Sequence, residues 1–284
     1  MSYPSPPAGA PVRVTFAGPA PAMAAHLPHA PCGGIRPRFV DVRAGAEPDS
    51  VRKALAQGAP HAVVALDVPA EALQELPAAT LGLGACASGC DRVLGAPGAT
   101  GVWRARPLPV DDRLFASVRA AAGPPRALCL TPSTGRREWM LVLAKHGHDV
   151  VHYAHGLAGD ALIAALTAAD VGIAAAADDA LAFAGEALIH LAAGHLLLAE
   201  RFAPPCGLEP GIDYLPVASR EDLAAVLTRL RLRPDAYERV RLRGRLKAEE
   251  HRASVVWPRL VLDLLEDIRV FGPGRAGDRN TLRA

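Results

Sequence analysis

The sequence is poor in aromatic residues and lysine, and it carries no large excess of charge of either sign. Phe, Trp and Tyr make up 5% of the 284 residues, whereas half of the residues are hydrophobic. Small aliphatic side chains supply most of that half, which suits strands buried on both faces between helices. The 31 basic and 29 acidic residues leave a net charge of +2, so the composition gives no reason to expect a nucleic-acid partner.

Cysteine is also scarce, and its spacing excludes a disulfide framework. The five cysteines are scattered, and Cys86 and Cys90 have no second Cys or His pair that would complete a zinc site. Four histidines lie between residues 146 and 155, but without the i, i+4 spacing on a helix that lets two ligands converge. We therefore expect reduced thiols and no bound metal.

Long hydrophobic runs are missing as well. The longest apolar stretch, residues 161–177, is interrupted by Thr167 and Asp170, and we interpret it as a helix, a turn and a strand. Residues 1–11 have neither the cationic start nor the apolar run of a signal peptide, and we expect them to be disordered. The prediction is a cytoplasmic protein without an integral membrane segment.

Short β-rich runs alternate with Ala- and Leu-rich helical runs along the whole chain. The run HAVVALDV at residues 61–68 predicts a buried strand, and residues 158–169 are typical of a helix between two strands. Such alternation predicts an α/β protein with parallel sheets covered by helices on both faces. A Pro- and Gly-containing stretch near residue 120 predicts a linker. The predicted domains are therefore two Rossmann-like halves that face a cleft, at residues 12–120 and 121–270, with a disordered tail over residues 271–284.

The usual nucleotide-binding loops are absent, but one loop of the second half has the composition of a phosphate site. No Walker-type loop is present, and no G-x-G-x-x-G follows the first predicted strand. Between a predicted strand and a predicted helix lie Ser133, Thr134, Gly135, Arg136 and Arg137. Hydroxyls, N–H groups at a helix start and guanidinium groups suit a pyrophosphate. The alternative is an ordinary helix cap with two solvated arginines.

The segment 183–209 holds a second candidate group. Glu186 and His190 are four residues apart and share one face of a predicted helix, Gly194 ends that helix, and Glu209 follows the next strand. A carboxylate in this position would accept hydrogen bonds from ribose hydroxyls. Alternatively, Glu186 pairs within its own turn and His190 is a buried histidine bonded to a backbone carbonyl.

Candidates for a general base are spread over both halves. His26 and His29 lie in the long loop after the first strand, Asp67 ends a strand of the first half, and His155 ends a strand of the second. The sequence does not choose among the four. An Arg-rich helical stretch at residues 229–252 is interpreted as a solvated, salt-bridged face, with an RNA or anionic lipid surface as the alternative.

Two segments of the second half carry a family resemblance. Residues 190–200 (HLAAGHLLLAE) and 207–215 (GLEPGIDYL) resemble the C-terminal domain of group 1 glycosyltransferases, closest to the bacterial spore-maturation-type subgroup. The order of further segments is similar to that subgroup, at residues 131–146, 148–152, 219–223 and 237–241, His251 and Trp257. The similarity covers about residues 80–265 of the chain.

The resemblance implies a GT-B fold and a hexosyltransferase-type enzyme. It makes residues 12–120 the acceptor-side domain and residues 121–270 the donor-side domain with a closing helix. The implied activity moves a sugar from a nucleotide-diphosphate donor to an unidentified acceptor, with no metal or other cofactor. The binding residues would be Ser133, Thr134, Gly135, Arg136, Arg137, Glu186, His190, Gly194 and Glu209.

The sequence departs from the family at two positions. The family's two donor-site glutamates align with Leu181 and Ile189, and neither residue is acidic. This departure keeps open a binding or scaffold protein that retained the fold and lost the donor site. A nucleotide-sugar epimerase-like enzyme of the same architecture is a further alternative.

Overall fold

The computed structural model divides into two α/β units. Unit 1 contains Met1–Pro107 and Ala253–Ala284, and unit 2 contains Leu108–Arg252. The residues that the structure describes are 3, 6–84, 89–96, 99–100, 102–115, 124–130, 137–153, 157–174, 180–202 and 207–273.

Unit 1 is built on a parallel six-stranded sheet. Its strands are β1 (Val12–Gly18), β2 (Ile35–Asp41), β3 (Ala62–Ala65), β4 (Ala79–Leu83), β5 (Arg92–Gly95) and β6 (Arg104–Ala105). Its helices are α1 (Ala20–Met23), α2 (Pro48–Ala56), α3 (Ala70–Leu73) and α9 (Ala253–Phe271), with a 3-10 turn at Ala24–His26. The strand order is β2-β1-β3-β4-β5-β6.

Both faces of this sheet are covered. On one face, Val51 and Leu55 of α2 pack with Ala17 and Val63 of the strands. Since side chains alternate along a strand, Phe16 points to the other face. There the Phe16 ring meets Trp257 of α9 edge-on, with ring centroids 5.1 Å apart.

Helix α9 is fixed to unit 1 by polar contacts as well. The guanidinium of Arg92 in β5 is fully buried and forms an ion pair with Asp267 of α9. A second arginine of the unit, Arg104, pairs with Asp263 at 2.7 Å. Gly33 lies so close to Pro258 that a Cβ there would come within 2.6 Å of the proline ring.

Unit 2 is built on a parallel five-stranded sheet. Its strands are β7 (Arg126–Cys129), β8 (Asp149–His152), β9 (Val171–Ala174), β10 (Leu196–Ala199) and β11 (Leu215–Pro216). Its helices are α4 (Arg137–Lys145), α5 (Gly159–Thr167), α6 (Ala180–Ala192), α7 (Arg220–Leu232) and α8 (Glu238–Glu249), with a 3-10 turn at Asp112–Phe115. The strand order is β11-β10-β9-β7-β8.

The helices of unit 2 cover the sheet in two layers. Leu143 of α4 and Leu227 of α7 pack on Ala127, Ile173 and Leu198, which share one face of the strands. Helix α6 packs on β9 and β10, and α8 packs on α6 and β10. Helix α7 begins with a capping box, because Ser219 and Asp222 each accept a hydrogen bond from the other's backbone N–H.

The predicted α/β class with parallel sheets is confirmed, and the predicted strand at residues 61–68 and helix at residues 158–169 contain β3 and α5. The difference is at the end of the chain. The predicted second domain extends to residue 270, whereas helix α9 (Ala253–Phe271) belongs to unit 1. In the described part of the chain, no helix is both long enough and apolar enough to cross a membrane.

Candidate functional site at the carboxyl end of the second sheet

The strand order of unit 2 creates one topological switch point. From β7 the chain runs outward to β8 and then returns to β9 on the other side of β7. In open α/β sheets, ligands bind outside the carboxyl ends of the strands where this reversal occurs. The switch point lies between the ends of β7 and β9, where Leu130 follows β7.

Glu186 places a carboxylate at this point. It is the one acidic residue in the sequence of α6, ALAFAGEALIHLA. Its Oε1 accepts a hydrogen bond from the backbone N–H of Leu130, with an N–O distance of 3.1 Å. The Glu186 carboxylate is thus held at the strand end, and the side chain as a whole is 12% exposed.

His190 lies one helical turn behind Glu186 and is fully buried. Its Nε2 is 3.8 Å from Oε1 of Glu186, and its Nδ1 is 3.0 Å from Nδ1 of His195. Gly172 of β9 makes room for the ring, because a Cβ at that position would overlap the His190 imidazole. Glu186 and His190 therefore share one face of α6, as their four-residue spacing predicts, and His190 is the more deeply buried of the two.

His195 completes this buried row. Its Nε2 is 2.8 Å from the carbonyl oxygen of Leu166. Burial, followed by the neighbouring His190 and Arg241, lowers the pKa of His195 to about 3, despite the opposing hydrogen bond to Leu166. His195 is therefore neutral at physiological pH.

The carboxyl end of α6 is capped by Gly194 and by two arginines of α8. Gly194 has a φ of +79°, and its N–H donates to the carbonyl of Leu191. Arg241 donates to the Gly194 carbonyl at 3.0 Å, and Arg245 donates to the Ala192 carbonyl at 2.9 Å. Cations at this end of a helix stabilise it through the helix dipole. Gly194 thus shapes the turn that carries His195 back over His190.

Glu209 lies elsewhere in unit 2, in the turn between β10 and β11. Its backbone N–H donates to the buried carboxylate of Asp213 at 3.0 Å, and its own side chain is exposed. The remaining binding candidates Ser133, Thr134, Gly135 and Arg136 lie outside the described residues, as does the side chain of Arg137, whose backbone begins α4. Their proposed contacts with phosphate remain predictions.

The general-base candidates of unit 1 have different surroundings. His26 is buried in the 3-10 turn, whereas His29 is exposed. Asp67 is exposed just after β3, with a φ of +51°, and β3 and β1 form the switch point of this sheet. His155 lies outside the described residues.

Ile189 and Leu181 are the two positions that align with the donor-site glutamates of the resembled family. Ile189 is buried in α6, with 7% of its surface exposed, and the side chain of Leu181 lies outside the described atoms. Among the described residues, no three His, Cys, Asp or Glu side chains are grouped as metal ligands would be.

Comparison with solved structures shows the fold. A glycosyltransferase from Rickettsia africae is 9% identical with a TM-score of 0.54, and the match covers 91% of this chain and 99% of that one. A sucrose-phosphate synthase from Thermosynechococcus elongatus is 11% identical with a TM-score of 0.54, covering 91% and 98%. AviGT4, a glycosyltransferase involved in avilamycin A biosynthesis, is 14% identical with a TM-score of 0.52, covering 92% and 98%.

These matches extend over both units, so the chain has the α/β fold with two parallel sheets that GT-B glycosyltransferases share. No protein-family model and no curated protein matches the sequence.

Proposed function

We propose that the protein is a glycosyltransferase that transfers a sugar from a nucleoside-diphosphate donor to an acceptor. The observation that carries this proposal is the Glu186 carboxylate, held at 3.1 Å from the Leu130 N–H at the switch point of unit 2. The likeness of the whole chain to solved glycosyltransferases supports it.

The chemistry of Glu186 suits a sugar hydroxyl. An ionised carboxylate is an acceptor with several lone pairs, and one of its oxygens is already fixed by Leu130. Its partly exposed side chain leaves room to accept hydrogen bonds from a ribose or donor-sugar hydroxyl. Glu186 would in this way take over the role of the family's glutamate, whose aligned position here is the buried Ile189.

The leaving diphosphate needs positive charge and N–H donors. We assign this role to Ser133, Thr134, Gly135, Arg136 and Arg137, which precede and begin α4. N–H groups at a helix start and arginine side chains stabilise a departing phosphate without a metal ion. His190 and Gly194 support Glu186 from within the protein. Glu209 is the second candidate to accept a hydrogen bond from a donor hydroxyl. The candidates for the general base are still His26, His29, Asp67 and His155.

The test is direct binding of nucleotide sugars. Thermal shift and calorimetry with UDP-, GDP- and dTDP-linked sugars at millimolar concentration should reveal one preferred nucleotide. Glu186→Ala should weaken its binding about tenfold or more, as expected for the loss of a hydrogen bond to a charged acceptor. Glu209→Ala tests the second candidate, and Glu250→Gln, at the exposed end of α8, is the matched control. If no nucleotide sugar binds, the proposal is wrong.

One observation favours a second candidate function. The buried Ile189 cannot accept a hydrogen bond, which is what a binding or scaffold protein that has lost the donor site would show. Mass analysis after incubation with the preferred donor and possible acceptors separates the cases. Transfer gives a glycosylated acceptor and free nucleotide, epimerisation gives an isomer of the donor, and a scaffold protein gives neither.

A further inference from the structure

Helix α9 supplies carboxylates at a regular spacing to arginines of strands β5 and β6 in unit 1. Asp267 pairs with Arg92, the first residue of β5, and Asp263 pairs with Arg104, the first residue of β6, at 2.7 Å. The two aspartates are four residues apart, so they share one face of the helix. The arginine at the start of each strand therefore has its own counter-charge.

The series of acids ends one turn earlier in the helix. Four residues before Asp263, α9 carries the exposed Arg259. On the side of the sheet, Arg106 follows β6, and its backbone N–H donates to the Gly95 carbonyl at 3.0 Å. Arg259 is one of the charged neighbours of Arg106, so an arginine stands beside an arginine where the two later turns of the helix each present an aspartate.

The Arg106 side chain is partly buried and lacks an acceptor. Its Nε is buried, and in the described part of the chain it has no hydrogen-bond partner. Burial, followed by the charges of Arg104 and Arg259, lowers the pKa of Arg106. Because arginine stays protonated in proteins, this lowering means that the free protein holds the charge at a cost in free energy.

We call Arg104, Arg106 and Arg259 the arginine cluster. Among the described residues, Asp263 is the one carboxylate that pairs with a member of the cluster, and its partner is Arg104. Three arginines and one aspartate leave two positive charges without a counter-charge. The cluster is therefore suited to an anion that the protein itself does not supply.

The position of the cluster also favours a ligand. Arg106 lies just beyond the carboxyl end of β6, which runs parallel to β5. Ligands of open α/β sheets bind outside the carboxyl ends of the strands. The Arg104 guanidinium is held in place by Asp263 and by the Trp103 ring, whose centroid is 4.9 Å away. One fixed and two uncompensated guanidinium groups thus meet at an edge where ligands bind.

We propose that the arginine cluster is a binding site in unit 1 for the phosphate group of a phosphate monoester. Such a group carries nearly two negative charges and three acceptor oxygens at neutral pH, which matches the two uncompensated charges of the cluster. Guanidinium groups donate paired hydrogen bonds to phosphate oxygens. A carboxylate has one charge and would leave the cluster positive. The proposal does not depend on the proposed function, whose residues for the leaving diphosphate belong to unit 2.

The first test is calorimetry and thermal unfolding of the whole chain at about pH 8, where a phosphate monoester is doubly charged. The probes are inorganic phosphate and glucose 6-phosphate at millimolar concentration, with sodium chloride of equal ionic strength as the control. We expect binding to a single site and a higher unfolding temperature. Tighter binding of glucose 6-phosphate assigns the site to an organic monoester, whereas tighter binding of inorganic phosphate assigns it to the free ion. A response no larger than that to sodium chloride would overturn the proposal.

Two variants and one control locate the site. Arg106→Gln and Arg259→Gln should each weaken binding of the better probe about tenfold or more, because each removes a charge-assisted hydrogen bond. Arg269→Gln is the matched control, since Arg269 is an exposed arginine of the same helix that pairs with Glu266. It should bind the probe as the wild type does. Equal affinities of Arg106→Gln and the wild type would show that phosphate does not bind at the cluster.

A charge reversal gives opposite expectations for binding and stability. Arg259→Glu continues the series of acids at positions 263 and 267 and offers Arg106 a carboxylate of the protein's own. Phosphate binding should be lost, while the unfolding temperature in phosphate-free buffer should rise by about 1–4 °C. A variant that failed to fold would lose both, so the two readouts separate these cases, and Arg259→Gln remains as the milder change. Binding that persists in Arg259→Glu would contradict the proposal.

Discussion

The indole Nε1–H of Trp257 donates to the backbone carbonyl of His26, with an N–O distance of 2.6 Å. Both residues belong to unit 1, although 231 positions separate them in the sequence. The fully buried Trp257 ring also packs on Phe16 of the first strand. The start of the chain therefore depends on the end of the chain for its core.

Replacing Trp257 should destabilise unit 1. Trp257→Ala should cost about 3–5 kcal/mol of unfolding free energy, because it leaves a large cavity beside Phe16. Trp257→Phe should cost about 1–3 kcal/mol, since the buried His26 carbonyl loses its donor. Urea unfolding measures both, with Trp139→Phe in unit 2 as the control. An unchanged midpoint for Trp257→Ala would contradict the placement of α9 in unit 1.

The Arg92–Asp267 pair allows a matched comparison with its sequence neighbour. Asp267→Ala removes the carboxylate that pairs with the buried Arg92 guanidinium, and we expect a loss of about 3–5 kcal/mol. Glu266→Ala removes the partner of Arg269 from a pair in which both side chains are more than half exposed, and should cost less than about 1 kcal/mol. Similar losses for the two variants in thermal or urea unfolding would show that Arg92 is not held as described.

The strands were predictable because parallel strands buried on both faces are short apolar runs. Residues 61–68 and 196–199 are runs of this kind, and they form β3 and β10. The change of unit at the break between α8 and α9 was not predictable, since residues 250–252 include neither Gly nor Pro. It coincides with a long-range contact, in which the N–H of Val110 donates to the His251 carbonyl at 2.7 Å.

The candidate site was predictable only where helical spacing determines it. Glu186 and His190 share a face because they are four residues apart. His195 was missed, although Gly194 is a signal for a chain reversal and the His195 N–H donates to the His190 carbonyl at 3.1 Å. The Leu130 partner of Glu186 depends on β7 lying next to β9, which the order of elements in the sequence does not determine.

Gly172 should not tolerate a larger side chain. Gly172→Ala places a methyl group against the His190 ring, and we expect a loss of about 1–3 kcal/mol from overpacking. In a His190→Ala background the same change should cost much less, because the methyl group then has space. A double-mutant cycle from urea unfolding measures this coupling. Additive losses would mean that the ring does not lie over Gly172.

The buried neutral His195 should make folding stability depend on pH. Its pKa is about 3 in the folded protein, against an ordinary value of 6.5, mainly because burial disfavours the charged ring. As the pH falls below 6.5, the unfolded chain binds a proton at His195 that the folded protein does not, so stability decreases until the pH nears 3. At about pH 5 the resulting loss of unfolding free energy is about 2 kcal/mol.

The variant His195→Gln does not titrate and keeps a donor for Leu166. Its unfolding free energy should therefore change less between about pH 7 and pH 5 than that of the wild type or of His29→Gln. If all three lose the same free energy in urea unfolding, His195 does not remain neutral in the folded protein.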